Sequence, residues 1–299
     1  MQPSIGEFLS SWTLEPVVVV GLALTAGLYA IGGRRLRRLR GGPALLPAWR
    51  VWSYTAGLLL VGLTLLSPVA TFDDELLLLH MLQHLLLISA APLLLLGRPL
   101  LPWLWALPPG PRRSLGLLFV PGRPPQRLFG FLTHPAVAVT VFLLVIGIWH
   151  LPALYDAAQG DTWVHEAEHT AFLGGALLYW WPLVHPFGGR RRLGYGAGIL
   201  YLWPAIAEQN AIGLILAWTQ HPVYSFYEDS SRLWGISPVL DQNLSGGLMS
   251  VVGTAVNAIA MTVLVARFFA QQERQASAED EARAGRASPT EVRKEQSES

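Results

Sequence analysis

The sequence predicts an all-α integral membrane protein: a seven-transmembrane-helix bundle with its N-terminus outside and its C-terminus in the cytoplasm. Three observations predict it. First, the 299 residues are 52% hydrophobic and only 14% charged, whereas soluble domains carry about 25% charged residues. Second, apolar runs longer than a soluble core helix needs recur along the chain. Third, all but one of the basic residues fall on one side of those runs. There is no Cys, which excludes disulfides and thiolate ligands and leaves His, Met and carboxylates for any metal.

The first segment runs from about Val17 to Ile31, after Glu15-Pro16. It ends at Gly32-Gly33 and an arginine cluster. The second covers about Trp49 to Leu66 and stops at Ser67-Pro68. A short acidic loop with Asp73, Asp74 and Glu75 leads into the third, about Glu75 to Leu96. The stretch from Arg98 to Thr133 is rich in Pro, Gly and Arg. With Trp103 and Trp105 it reads as interfacial, without a span. The fourth segment covers about Pro135 to Leu151, followed by a short loop from Pro152 to Asp161. The fifth, about Thr162 to Val184, breaks at His185-Pro186, and the sixth covers about Gly194 to Thr219. After a longer loop, the seventh runs from about Leu244 to Phe269. The chain thus divides into an extracytoplasmic N-terminus (1–16), a membrane domain (17–270) and a polar cytoplasmic tail (271–299) that reads as disordered. The polar start, Met1 to Glu15, lacks the basic region of a signal peptide.

Orientation follows from the positive-inside rule. With seven spans and an outside N-terminus, the cytoplasmic side receives six Arg from Arg34 to Arg50 and five from Arg98 to Arg127. It also receives Arg190 to Arg192 and six more cations from Arg267 onward. That is 20 of 21, with Arg232 alone outside.

This topology gives the histidines a location. The third segment carries His80-Met81-Leu82-Gln83-His84 and the fifth carries His165-Glu166-Ala167-Glu168-His169. Residues four apart share one helix face. His80 and His84 lie roughly 7 to 13 Å below the outer start of their helix, at about 1.5 Å per residue. His165 and His169 lie at similar or shallower depth. His150 closes the fourth segment at the same side, and His221 lies just past the sixth. His134 and His185 sit at the cytoplasmic ends and read as interfacial. A single pair of this kind often only joins helices, but two pairs at matched depth point to a metal or haem. Four imidazoles meeting at one site would suit copper, zinc, iron or nickel. Glu168 and Gln83 would orient imidazoles or complete the coordination, with His150 nearby. Glu208, in mid-helix, is a costly charge that needs a proton or a partner. The segment His165 to His169 also fits His-x-x-Glu-His, in which Glu168 would be the general base of a zinc peptidase. Short as it is, that motif does not account for the second pair.

Several strings resemble the membrane-integral CtaG family, the assembly factors of bacterial caa-type cytochrome c oxidase. They are His-Met-Leu-Gln-His-Leu-Leu-Leu from His80, then Ala91-Pro92-Leu93 and Gly97-Arg98-Pro99. Trp149-His150-Leu151-Pro152 with Tyr155 follows, then the second His pair with Phe172. Trp180-Trp181-Pro182 and Asp241-Gln242-Asn243 with Gly246-Gly247 complete the series. The resemblance spans about Val17 to Phe269, in order. It implies a seven-helix protein of the bacterial plasma membrane, needed for oxidase maturation through copper destined for its metal centres. It is distinct from the single-span, Cys-containing copper chaperone that shares the CtaG name.

The expectation is a non-enzymatic, copper-binding assembly factor. His80, His84, His150, His165, Glu168 and His169 are the candidate metal ligands, and zinc and iron stay open. Its partners would be oxidase subunits, the lipid bilayer and an extracytoplasmic copper donor, with no nucleic acid. The rivals are a membrane zinc hydrolase or di-iron oxidase using the same residues, a bis-His haem protein, and a metal-free scaffold.

Overall fold

Proline and polar caps mark most of the boundaries between helices in the computed structural model, which describes residues 3–117, 122–184, 193–228 and 233–286. A short α1 (Ile5–Ser10) is closed by a capping box between Ser4 and Glu7. Pro16 opens α2 (Pro16–Arg37), where a missing N–H costs nothing. After a single turn, α3 (Gly42–Leu45), comes α4 (Ala48–Leu66), then α5 (Pro68–Thr71), started by the Ser67 side chain. The first His pair lies on α6 (Leu77–Leu96). Three short helices follow: α7 (Leu100–Ala106), α8 (Pro109–Gly116) and α9 (Pro124–Leu132). The rest of the bundle is α10 (Pro135–Trp149), α11 (Pro152–Gly160), α12 (Thr162–Val184), α13 (Tyr195–Trp218) and α14 (Pro238–Arg286).

All seven expected segments are helices, with two departures around them. The expected loop from Pro152 is α11, a helix with Pro at its first turn. The stretch expected to be a disordered tail from 271 is helical as far as Arg286, because it is rich in Ala, Gln, Glu and Arg, all strong helix formers. Residues 287–299 lie outside the described chain, as do His185 and Arg190 to Arg192.

Five helical stretches are long and apolar enough to cross a bilayer: Pro16–Arg37, Ala48–Thr71, Leu77–Leu96, Tyr195–Trp218 and Pro238–Ala282. Together, α9 and α10 make a sixth, bent by 65°. Among the described residues α12 stands outside this set, since His165, Glu166, Glu168 and His169 dilute its apolar character. The protein is an all-helical, multi-pass membrane protein.

The core lies between α6, α10, α12, α13 and α14, around Phe142, Phe172, Tyr179, Trp180, Tyr201 and Leu202. Tyr179 Oη donates to Asn257 Oδ1 (2.8 Å) and Tyr201 Oη donates to the Tyr179 carbonyl (2.8 Å), so the buried hydroxyls are satisfied. Gly213 and Gly246 bring α13 and α14 together so closely that a Cβ on either would meet the other's carbonyl.

One cross-chain contact fixes the His-bearing helix. Leu76, at the N-cap of α6, offers no side-chain cap. Asp241 of α14 supplies it instead: its carboxylate accepts from the Leu77 N–H (2.7 Å) and the Leu78 N–H (2.9 Å). A carboxylate at a helix N-terminus satisfies orphan donors and complements the helix dipole. Asp241→Ala is expected to cost about 1–2 kcal/mol, the value of a good cap. The check is the thermal unfolding midpoint of the purified protein in detergent, which should fall; an unchanged midpoint would deny the cap its role.

Candidate metal centre

Each side chain of the centre is aimed by a local feature. On α6, the four-residue spacing puts His80 and His84 on one face, with side chains 0% and 3% exposed. On α12, the Asp161 carboxylate accepts from the Trp163 N–H (2.8 Å) and the Val164 N–H (3.1 Å), which sets the start of the helix. His165, Glu168 and His169 then fall on the side facing α6, while Glu166 points out and is exposed.

The two pairs do face each other, but not around one point. They form a ladder. The outer rung joins His80 and His165, ring centroids 5.3 Å apart. The inner rung joins His84 and His169, 5.5 Å apart. Along each helix the rings are 4.1 Å (His80–His84) and 4.2 Å (His165–His169) apart.

Two carboxylates complete the ladder. Glu168 Oε2 lies 3.6 Å from His80 Nε2 and 3.6 Å from His84 Nε2. Asp73, in the turn between α5 and α6, puts Oδ2 3.7 Å from His165 Nε2. Burial, with Asp74 beside it, pushes the Asp73 carboxyl up to about 9. Two groups therefore offer one ligand atom per residue within 4.8 Å of one another: Asp73, His80 and His165, and His80, His84 and Glu168.

The buried polar atoms here lack ordinary partners. Both Glu168 oxygens, both His84 ring nitrogens and the Nε2 of His165 and His169 have no hydrogen-bond partner among the described residues. Elsewhere in proteins such groups are nearly always paired. His80 is the exception. Its Nδ1 takes a hydrogen bond from the Gln159 amide (2.8 Å). A carboxamide can present either its N–H or its oxygen, so Gln159 can hold His80 in either tautomer.

His150 stands to one side. At the C-cap of α10, its Nδ1–H donates to the Ile146 carbonyl (2.7 Å), leaving Nε2 buried and without a partner. Its ring lies 6.1 Å from that of Phe172, which packs against His84. With His84, Met81, Met249 and Gln209 it lines a cavity of about 10 Å³. Gln83, expected to serve the site, instead donates toward the Thr64 carbonyl of α4 (3.4 Å). Glu208 lies against Gly147 of α10, away from the ladder. His134 and His221 are exposed.

Gln159 is a residue beside the ladder that sequence reasoning missed, because 152–160 reads as a loop. The signal was there: Pro152 after Trp149-His150 is a helix start, and the spacing from Tyr155 to Gln159 puts both on one face. Tyr155 packs its ring 5.1 Å from His80 and stacks on Tyr224 at 3.9 Å, so α11 closes the ladder from above.

Imidazole and carboxylate donors without thiolate suit copper, zinc and iron. Donors about 2.1 Å from a tetrahedral ion lie about 3.4 Å from each other. The separations of 3.6 Å between Glu168 and the two imidazoles are too long for good hydrogen bonds but fit a shared ion.

Mycobacterial proteins described as uncharacterized are similar to this chain. Those from Mycobacterium bovis and Mycobacterium tuberculosis are 29% identical over 288 residues. The one from Mycobacterium leprae is 27% identical over 295 residues. The alignments cover 93% of this chain but 42% of each relative, so the chain spans less than half the length of the relatives it matches. No solved structure matches. Residues 27–271 match the profile of the cytochrome c oxidase caa3 assembly factors, and the chain belongs to that family.

Proposed function

We propose that the protein assists the assembly of a caa3-type cytochrome c oxidase by binding copper as cargo on the His/Glu ladder and yielding it to an oxidase subunit. His80, His84, His165, His169 and Glu168 hold the ion, with His150 alongside, and a donor outside the cytoplasm supplies it. The observation that carries this reading is the Glu168 carboxylate, buried without a donor and 3.6 Å from two imidazole nitrogens. Burying such a group costs several kcal/mol unless a cation meets it.

Geometry favours this over the rivals. In a zinc peptidase Glu168 would stay off the metal while His165 and His169 held it, yet its oxygen lies between His80 and His84. A haem between the pairs would have to fit between rings 5.3 and 5.5 Å apart, which leaves no room for a porphyrin. A polar network serving only to join helices would pair its atoms, and most of these are unpaired.

The copper reading also fits seven spans in the plasma membrane, with α12 as the span that hydropathy alone rejects. Its polar turns face the bundle and not lipid. An N-out, C-in orientation puts the ladder at the extracytoplasmic end and nearly all the Arg at the other.

Purified wild-type protein is expected to carry copper by elemental analysis, and the His80→Ala/His84→Ala variant to lose it. Equal, negligible copper in both would sink the reading. Gln159→Leu should keep the fold and weaken copper affinity about 10- to 100-fold, as loss of an orienting partner does; competition with a Cu(I) chelator measures it. Reporter fusions after Leu45 and after Arg286 should be active only as cytoplasmic markers, and a periplasmic signal from either would reverse the orientation.

A further inference from the structure

The two groups of ligands share one residue. Asp73, His80 and His165 form one, and His80, His84 and Glu168 form the other. They also differ in access. His165 and Asp73 side chains are 22% and 5% exposed, while His80, His84 and Glu168 are 0%, 3% and 0% exposed. One helical turn separates the rungs, about 6 Å along the axis.

Resting on the copper-handling reading above, we propose that the ladder offers one ion two alternative positions: a loading position at Asp73, His165 and His80, and a retention position at His80, His84 and Glu168. Both groups draw on His80, and a neutral imidazole has one unprotonated ring nitrogen, so only one ion is held at a time. Transfer inward is a ligand exchange. The bond from His80 is kept, those from Asp73 and His165 break, and those from His84 and Glu168 form. No electron moves, and the ion passes from one carboxylate to another without crossing the apolar core as a bare charge.

An ordinary ion pair does not account for the outer group. Asp73 Oδ2 and His165 Nε2 are 3.7 Å apart, beyond hydrogen-bonding range, and His165 Nε2 has no hydrogen-bond partner although a carboxylate faces it. The turn holding Asp73 is fixed separately, since Tyr227 Oη donates to the Asp73 carbonyl (2.7 Å). Asp73→Asn therefore removes the carboxyl ligand and leaves the backbone anchor.

The test uses Cu(I) buffered by a chromogenic chelator, with uptake and release followed by stopped flow on the full-length protein in detergent. A loading position predicts that Asp73→Asn slows uptake and release together, by about tenfold, and leaves Kd nearly unchanged. Glu168→Gln should instead speed release and weaken Kd while uptake holds. If Asp73→Asn weakens Kd through faster release alone, Asp73 is a ligand of a single site and the two-position reading falls. It falls equally if neither rate changes. A wild-type protein that takes up no Cu(I) would overturn the copper reading itself, a result distinct from either of these.

Discussion

Glu168 places a carboxylate between two imidazoles at a depth where neither of its oxygens meets a hydrogen-bond donor among the described residues. That arrangement is unfavourable in an empty, low-dielectric site. The surroundings have to hold it in place against the tendency to reach water or to rearrange. Packing does this. Phe172 lies against His84 with ring centroids 4.3 Å apart, and Tyr155 covers His80. Stiff aromatic walls fix imidazole orientation without supplying hydrogen bonds that a metal would have to displace.

The other carboxylates at this end of the bundle separate by what they bond to. Asp241 spends both oxygens on the first N–H groups of α6. Asp161 caps α12. Asp156 accepts from the Ser225 hydroxyl (2.5 Å) and reaches the Ser225 and Phe226 N–H groups (3.3 Å each), tying α11 to the loop that follows α13. These three are engaged by protein donors and serve as framework. Glu168 has no such donors, and Asp73 faces an imidazole. The framework acids hold the helix starts, and the helix starts set the rungs. Framework acids thus differ from Glu168 in the protein donors that reach them.

Much of this was legible in the residues. Seven helical segments and two His pairs at matched depth follow from apolar runs and four-residue spacing, both of which are local; that the pairs face each other does not. The ladder was not legible as such. Spacing along α6 and α12 says which residues share a face, but the relative height of two helices depends on loops and caps distant in sequence. The contact of Asp241 with Leu77 and Leu78 is of that kind. Gln159 was hidden for a different reason: α11 is only nine residues long, too short for periodicity to separate it from a loop. Gln83 was drawn toward the site by sharing the histidine face, yet its amide reaches α4, because residue 83 lies between the two contact faces of α6.

The helix that composition serves least well is the one that matters most. By hydropathy α12 is a poor span, and His165, Glu168 and His169 are the cause. The same residues would be tolerated poorly on any surface facing lipid. They persist because α6 and α11 cover them, while Trp163, 83% exposed at the start of α12, takes the outward position suited to an interfacial ring. Where a local rule fails and the surrounding structure is arranged to absorb the cost, a functional demand is the usual cause. The demand we propose here is a set of donors that can bind an ion and also let it go. With no Cys in the chain, imidazole and carboxylate are the donors this sequence offers for that role.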